Sequence, residues 1–593
     1  MASEHKWKRT HNCGELREDD EGKNVLLMGW VANHRDLGGV IFIALRDRWG
    51  ITQVVFDPSE GEALNEAAKQ LKLESVIAIK GDVVARPKEM VNPHMPTGGI
   101  EIAVKELRVL NEAKPLPFLI KDPCEASDEL RLKYRYLDLR RPSMQKNLLL
   151  RHRMYQVTRR YFDDEGFVEV ETPFLMKSTP EGARDYLVPS RIHKGKFYAL
   201  PQSPQTYKQI LMVSGYDRYF QIVRCFRDED SRADRQPEFT QIDVEMSFVD
   251  ENDVLKVVEG LMVRLFRETL KREIDVPFLR MSYDEAMRRY GTDCPDLRFG
   301  MEIEDVSDLA AQSGFKIFSD TVNHGGKVRG IRWEKGGPLS RKQVDDLTLF
   351  VQDFGAKGLV TIQLKDEEIS SSISKFVPPN IMVEMVNRFS AVSGDVLFLI
   401  AGEEKICCGA LGNLRLKLAS KLGLMDKGTF TPVWIVDFPL LEWSEEADRY
   451  MACHHPFTSP KDEDMSLIES APGKVRAKAY DLVLNGSEIA GGSIRIHRRP
   501  VQEQMFQVLG LDEATALRKF GFLMEALECG APPHGGIAFG FDRMVMVFAG
   551  EESIREVIAF PKTTSALSLM DESPSIVDES QLRELGLKLY IDE

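Results

Sequence analysis

Residues 219–247 read YFQIVRCFRDEDSRADRQPEFTQIDVEMS. Two segments alternate like β-strands around a loop dense in Arg, Asp and Glu. In the second segment Ile242, Val244 and Met246 fall on one face and Gln241, Asp243 and Glu245 on the other. The first segment ends at Arg227, followed at once by Asp228 and Glu229. Ionised groups are costly to bury without partners. A strand pair with one apolar face and one face of carboxylates, amide and guanidinium therefore predicts a sheet whose polar side lines a cleft. A solvated edge hairpin with surface ion pairs fits the composition too, but it leaves the run Gln236-Pro237-Glu238-Phe239-Thr240-Gln241-Ile242-Asp243 unexplained.

The stretch FRDED-x-RADRQPEFTQID resembles motif 2 of the class II aminoacyl-tRNA synthetases, in the form carried by bacterial-type aspartyl-tRNA synthetases. On the N-terminal side, LLLRHRMYQVTRRYFDDEG (148–166) reads as a long helix and Phe167 to Pro173 as a strand. Core packing would explain that pattern, which also resembles motif 1, the homodimer interface of the class. Lys177 to Asp185 is a loop bearing Gly, Pro and both charge signs, suited to a lid or to a passive surface. In Gln202-Ser203-Pro204-Gln205-Thr206-Tyr207-Lys208, Gln205 and Lys208 project from one helical face. The resemblance places Ser203, Gln205 and Lys208 in the aspartate pocket and Glu181 on the loop that closes over the amino acid.

On the C-terminal side, Asp481 and Glu488 flank Asn485-Gly486, a strong hairpin signal. Paired carboxylates repel without a cation between them, and hard oxygen ligands suit Mg²⁺ carried on ATP. Arg495 follows, able to hold a carboxylate through two parallel hydrogen bonds. His454 and His455 precede Pro456 without partner ligands at zinc spacing. They are compatible with a structural pair, and the resemblance puts them against bound aspartate. His534 to Val547 reads as strand, tight turn and helix start. It resembles motif 3, which implies ATP contacts at Gly540, Phe541, Asp542 and Arg543, with Arg543 on the γ-phosphate.

Residues up to 113 read as strands Asn24–Ala32, Val40–Arg46, Thr52–Phe56, Val76–Ala85 and Ile100–Leu110, with a helical stretch near Glu62–Leu71. Five strands with a helix between the third and fourth is the plan of an OB-fold. Arg35, Phe42, Arg46 and Gln53 supply cation, aromatic and amide for single-stranded nucleic acid, although Phe42 could equally be barrel core. The resemblance implies anticodon contacts at Arg35, Phe42 and Gln53, and marks Leu37 as the position where leucine accompanies strict charging of tRNA-Asp and histidine relaxed charging. Arg131, Lys133, Arg135, Arg140 and Arg141 make a basic segment, read as a phosphate-facing hinge or as a solvated helix face.

The 593 residues predict about three to four domains at roughly 150 residues each. Net charge is -15, so nucleic-acid contact must come from local patches. The eight cysteines form no C-x-x-C pair, and no stretch of eighteen apolar residues occurs; the expectation is a reduced, cytoplasmic protein without membrane contact. No Rossmann or P-loop signature opens a helix after a strand.

The expected architecture is α+β multidomain: an N-terminal OB-fold β-barrel plus a class II synthetase antiparallel-sheet catalytic domain with an inserted α/β domain. The boundaries are 1–113 for the OB-fold, 114–142 for the hinge, 143–297 for the catalytic segment with motifs 1 and 2, 298–426 for the insertion, 427–561 for the catalytic segment with motif 3, and 562–593 for a C-terminal extension. The implied function is an aspartate–tRNA ligase acting with ATP and Mg²⁺ on L-aspartate and tRNA-Asp, with tRNA-Asn left open, as a homodimer that binds no DNA. Within it Arg227, Glu488 and Arg543 would be catalytic; Arg227, Asp243, His454, His455 and Arg495 would bind aspartate; Arg227, Asp228, Glu229, Gln236 and Glu488 would bind ATP; Asp481 and Glu488 would hold the metal. An asparaginyl- or lysyl-type ligase and a non-catalytic RNA-binding relative are the alternatives. Arg495 with Lys208 argues against the first, and retention of Arg227, Glu488 and Arg543 against the second.

Overall fold

The computed structural model describes residues 7–179, 182–229, 234–365 and 368–590. The chain divides into two compact units, residues 1–146 with 568–571 and residues 147–567 with 572–593.

The first unit holds a closed barrel of β1 (Asn24–Leu37), β2 (Val40–Arg46), β3 (Ile51–Phe56), β4 (Val76–Ala85) and β5 (Ile100–Asn111), in the order β1-β2-β3-β5-β4. The helix Glu62–Lys69 lies between β3 and β4, as the OB plan requires. Period-two alternation puts Ile41, Ile43, Leu45, Val54 and Phe56 in the core. Phe42 is excluded from that core: it stands half-buried on the outer face, in register with Arg35, and Gln53 shares the face opposite Ala44. Arg46 departs from the nucleic-acid role expected of it. Its Nη2 donates to both Glu74 oxygens at 2.8 and 2.7 Å, because a buried guanidinium needs a carboxylate. The basic segment likewise turns inward: Arg131, Arg135 and Arg141 converge on the fully buried Asp138 at 3.0, 2.6 and 2.7 Å, and Arg140 joins Glu74. These arginines hold the segment together instead of facing a phosphate.

The second unit is built on strands β6 (Val168–Glu169), β9 (Arg218–Phe226), β10 (Glu238–Ser247), β11 (Leu279–Ser282), β17 (Pro432–Val436), β20 (Ala479–Leu484), β21 (Ser487–Ile494) and β22 (His534–Gly540), ordered β11-β17-β20-β21-β22-β10-β9-β6. Small ribbons β7 (Leu187–Pro189) with β8 (Phe197–Ala199) and β18 (Leu441–Ser444) with β19 (Arg449–Ala452) accompany it. Pairing is parallel only at the outer edges, β11 with β17 and β6 with β9. A parallel pair needs a long crossover. The one between β11 and β17 contains a separate five-stranded sheet: β12 (Glu304–Asp305), β13 (Lys327–Trp333), β14 (Val360–Lys365), β15 (Glu368–Ser371) and β16 (Val396–Gly402).

The core explains the alternation of β10. Ile242, Val244 and Met246 pack with Leu255, Val258 and Met262 of the helix Glu251–Leu265 and with Met544 and Val545. The strand expected over 167–173 shrinks to the two-residue edge strand β6, following the helix Pro142–Asp164. Among the described residues no helix is long and apolar enough to cross a membrane.

Candidate active site

The polar face of the large sheet floors a cavity of about 410 Å³. Its floor follows from register. Gln221, Asp243, Ala538, Gly491 and Asp481 form one row across β9, β10, β22, β21 and β20. Small residues occupy the centre of that row because there is room for nothing else. In the neighbouring row a Cβ on Gly536 would fall 2.1 Å from Glu245 Oε2.

Four buried charges organise one end. Lys208, projecting from the helix Gln205–Val213, places Nζ 2.5 Å from Asp243 Oδ1 and 3.4 Å from Glu245 Oε2. Arg495 grips Glu245 in parallel, Nε to Oε1 at 2.9 Å and Nη2 to Oε2 at 3.1 Å. Burial alone would raise the Glu245 carboxyl; the Arg495 and Lys208 charges outweigh it and hold it below the ordinary value. The fork of Arg495 is thus committed to Glu245, a residue sequence reasoning left without a role although it shares a face with Asp243. The remaining Nη1 donates to Ser493 Oγ and to His455 Nε2, both at 2.7 Å. A guanidinium only donates, so His455 Nε2 is the acceptor. Burial and the Arg495 charge keep both imidazoles neutral, His455 well below its ordinary pKa and His454 down to about 4. Gln205 lines the same end, its amide donating to Gln209 Oε1 at 3.1 Å, with Ser203 beside it.

The other end is the β20–β21 hairpin. Asn485 and Gly486 turn with φ of +53° and +79°, the left-handed pair of a tight hairpin. Glu488 and Gly491 are three apart and would face opposite sides of a regular strand. A bulge at Ile489, where Leu482 pairs with Ala490 but Val483 with Glu488, turns Glu488 onto the face of Asp481. A Cβ on Gly491 would stand 2.7 Å from Asp481 Oδ1 and 3.2 Å from Glu488 Oε1. Burial first, then the charges of Glu488 and Asp293, raise Asp481 well above the ordinary carboxyl value. Asp293, on the segment leading to the inserted sheet, carried no motif that would have singled it out.

Asp243 Oδ2, His454 Nε2 and Asp481 Oδ1 line this cavity as buried polar atoms without hydrogen-bond partners among the described residues. Buried polar atoms are otherwise almost always paired. The orphaned Asp481 oxygen beside a second carboxylate fits a divalent cation. Among the described residues no group of three or more metal-ligating side chains occurs, so the pair suits an ion that brings further oxygen ligands with it.

Arg227, just past the end of β9, and Arg543, in the first turn of the helix Phe541–Ala549, line the cavity. Arg227 lies 5.0 Å over the Phe239 ring, and Arg543 donates to Glu488 O at 2.6 Å and to Asp234 at 3.2 Å. Glu229 lines the cavity in an ion pair with Arg235, and Gly540 also lines it.

Other expected ATP contacts have partners within the protein, Gln236 and Asp542 while lining the cavity. Phe541 is fully buried and stacks on Tyr155 at 4.3 Å, because the helix it opens must dock on the core. Asp542 reaches the cavity but accepts from Thr240 N at 2.8 Å and pairs with Arg151 at 2.6 Å. Both ends of the Gln236 amide bond the Lys562 backbone, at 3.0 and 2.7 Å. Asp228 is exposed, outside the cavity lining, its N–H bonded to Arg184 O. Glu181 lies outside the described residues; Gly182 and Ala183 next to it line the cavity.

A family model described as "tRNA synthetases class II (D, K and N)" matches residues 127–564, and one described as "OB-fold nucleic acid binding domain" matches residues 25–110. The chain is 56% identical over 585 residues to the aspartate–tRNA(Asp/Asn) ligase of Geotalea uraniireducens, covering 99% of both chains. It is 55% identical to the protein of that name from Symbiobacterium thermophilum, covering 98% of this chain and 100% of the relative. Among solved structures, asparaginyl-tRNA synthetase from Pyrococcus horikoshii with asparaginyl-adenylate shares the fold at TM-score 0.59 and 21% identity, over 94% of this chain and 98% of that one. Aspartyl-tRNA synthetase from Entamoeba histolytica does so at TM-score 0.59 and 20% identity, over 95% and 93%.

Proposed function

The chain belongs to the class II tRNA synthetases of the aspartate, lysine and asparagine group, and from that membership we infer how it charges tRNA with aspartate at the expense of ATP. In the first step the α-carboxylate of aspartate attacks the α-phosphorus of ATP, giving aspartyl-adenylate and pyrophosphate. In the second, a terminal ribose hydroxyl of tRNA attacks the acyl carbon. Among the described residues no side chain offers nucleophile-and-base geometry in the cavity, so the chemistry is positioning and charge stabilisation. Arg227 draws charge from the α-phosphate and Arg543 from the departing pyrophosphate. Asp481 and Glu488 hold Mg²⁺, which neutralises phosphate charge when bound.

Aspartate selection rests on one observation: two cations, Arg495 and Lys208, stand buried at one end with two acids between them. The unpaired Asp243 Oδ2, with Gln205, receives the substrate ammonium. The second N–H of Arg495 Nη2 and the third of Lys208 Nζ, beyond those held by Glu245 and Asp243, receive its side-chain carboxylate, and His454 Nε2 adds a hydrogen bond. Asparagine would present N–H donors to the same cations, a mismatch worth several kcal/mol in a desolvated site. Aminoacylation of purified tRNA-Asp with labelled aspartate and labelled asparagine tests this; equal charging with both amino acids contradicts it.

On the barrel, Arg35, Phe42 and Gln53 share one outer face, with Leu37 62% exposed at the end of β1. We assign that face to the anticodon. The curated relatives are named for both tRNAs, whereas Leu37 favours strict charging, so the comparison of tRNA-Asn charging by the wild type and Leu37→His decides between them. Exposed Val168, Phe174 and Leu175 beside the short edge strand β6 support a homodimer that covers this edge.

A further inference from the structure

We propose that the inserted five-stranded domain positions the Asp481–Glu488 hairpin, acting through the two connectors that join it to the large sheet, with Arg415 as the residue that fixes the first connector. The proposal rests on the reading of that hairpin as the metal site.

The helix Glu404–Leu422 of the insertion presents Cys408, Gly412 and Arg415 on one face, at i, i+4 and i+7. That face meets backbone. A Cβ on Gly412 would fall 2.6 Å from Tyr290 O, and one on Gly291 would fall 1.9 Å from Cys408 O. Arg415, 1% exposed, takes no carboxylate partner among the described residues; it donates to the carbonyls of Gly300 at 2.9 Å and of Asp296 and Phe299 at 2.7 Å. It also packs over the Phe299 and Tyr290 rings at 4.0 and 5.0 Å. A cation buried against carbonyls alone is costly unless the geometry is kept. Every carbonyl that Arg415 bonds belongs to the outgoing connector, residues 291–300.

That connector ends against the hairpin. A Cβ on Gly486 would stand 3.1 Å from the Asp296 Cβ, closer than ordinary contact, at a φ of +79° that favours glycine. Asp296 is held by Arg298 at 2.6 Å, and Arg298 Nη1 reaches across to Asp426 O at 3.0 Å on the returning connector. The returning connector closes the other side: Thr431 N donates to Asn485 Oδ1 at 3.0 Å, and Asn485 Nδ2 donates to Thr429 O at 2.7 Å. Asn485 and Gly486 are the turn between Asp481 and Glu488. Outgoing and returning chain therefore form a collar around the turn that sets the separation of the two carboxylates. Outer contacts of this kind commonly decide metal affinity.

The test uses the full-length chain as Arg415→Met, Arg415→Lys and Arg298→Gln. Amide hydrogen exchange of residues 479–494 is measured without nucleotide or Mg²⁺, with residues 238–247 as the internal reference. Arg415→Met and Arg298→Gln are expected to speed exchange in 479–494 and not in 238–247, with Arg415→Lys intermediate. In ATP–pyrophosphate exchange the Mg²⁺ half-saturation should rise about tenfold, while KM for aspartate stays within about twofold. Should Arg415→Met fail to fold, Arg298→Gln carries the test, because it leaves the Arg415 contacts in place while releasing Asp296 and the link between the connectors. Unchanged exchange of 479–494 in a folded variant overturns the proposal. A loosened hairpin with unchanged Mg²⁺ dependence upholds the collar and overturns the metal assignment instead.

Discussion

The two ends of the cavity solve the burial of charge in opposite ways. At the amino-acid end Lys208 and Arg495 face Asp243 and Glu245, and the set is neutral before any substrate arrives. At the hairpin Arg543 reaches Glu488 Oε2 at 3.7 Å, but Asp481 beside it has no cationic partner among the described residues and bears the cost as a raised pKa. The first end is built as a rigid template, in which the substrate takes up hydrogen-bonding capacity left over from an internal network. The second is completed by what it binds. A site that must discriminate between aspartate and asparagine gains from the template. A site for a phosphate-borne metal gains from like charges that only a cation reconciles.

The contrast can be broken most severely at Arg495. Arg495→Leu strands Glu245 as an uncompensated buried charge, so a loss of about 3–5 kcal/mol of stability is expected beside loss of aspartate activation. A melt and an exchange assay on one preparation check both. Glu245→Gln keeps the shape but frees the Arg495 fork; kcat/KM for aspartate is expected to fall about 100-fold, roughly 2.7 kcal/mol. Its pH signature is directional. The native carboxyl lies below its ordinary 4.5, so the stability Glu245 contributes is present above that pH and is lost as pH falls through the native value. The stability gap between wild type and Glu245→Gln should therefore narrow in acid.

Asp481→Asn should do the reverse. Its carboxyl is raised above 3.8 in the fold, so ionisation costs stability at neutral pH and nothing below that value. The variant is expected to melt about 2 °C higher at pH 7.5, the difference closing towards pH 4, while its Mg²⁺ half-saturation rises about tenfold or more. The smallest effect belongs to the barrel. Leu37→His should leave aspartate activation unchanged and alter only the ratio of tRNA-Asn to tRNA-Asp charging.

Alternation in β10 makes the acid row legible from sequence alone, and Asn485-Gly486 announces the hairpin. What stays hidden there depends on register and on competing partners. Glu245 is on the right face, but only the pairing with Arg495 reveals that it occupies the fork expected for substrate. The bulge at Ile489 leaves no mark in composition, yet it decides that Glu488 faces Asp481. Phe541, Gln236 and Asp228 sit inside motifs, and the sequence does not show that Phe541 stacks on Tyr155, that the Gln236 amide bonds the Lys562 backbone at the cavity wall, or that Asp228 is exposed. The basic run around Arg135 reads as a nucleic-acid surface because the sequence does not show that Asp138 lies at its centre.

The most direct measurement is ATP–pyrophosphate exchange with aspartate, asparagine and lysine run in parallel, without tRNA. Exchange with aspartate alone is the predicted result, since only a second carboxylate satisfies Arg495 and Lys208 together. Comparable exchange with asparagine or lysine, or none with aspartate whether or not tRNA is added, would contradict the assignment of the neutral four-charge end as an aspartate template.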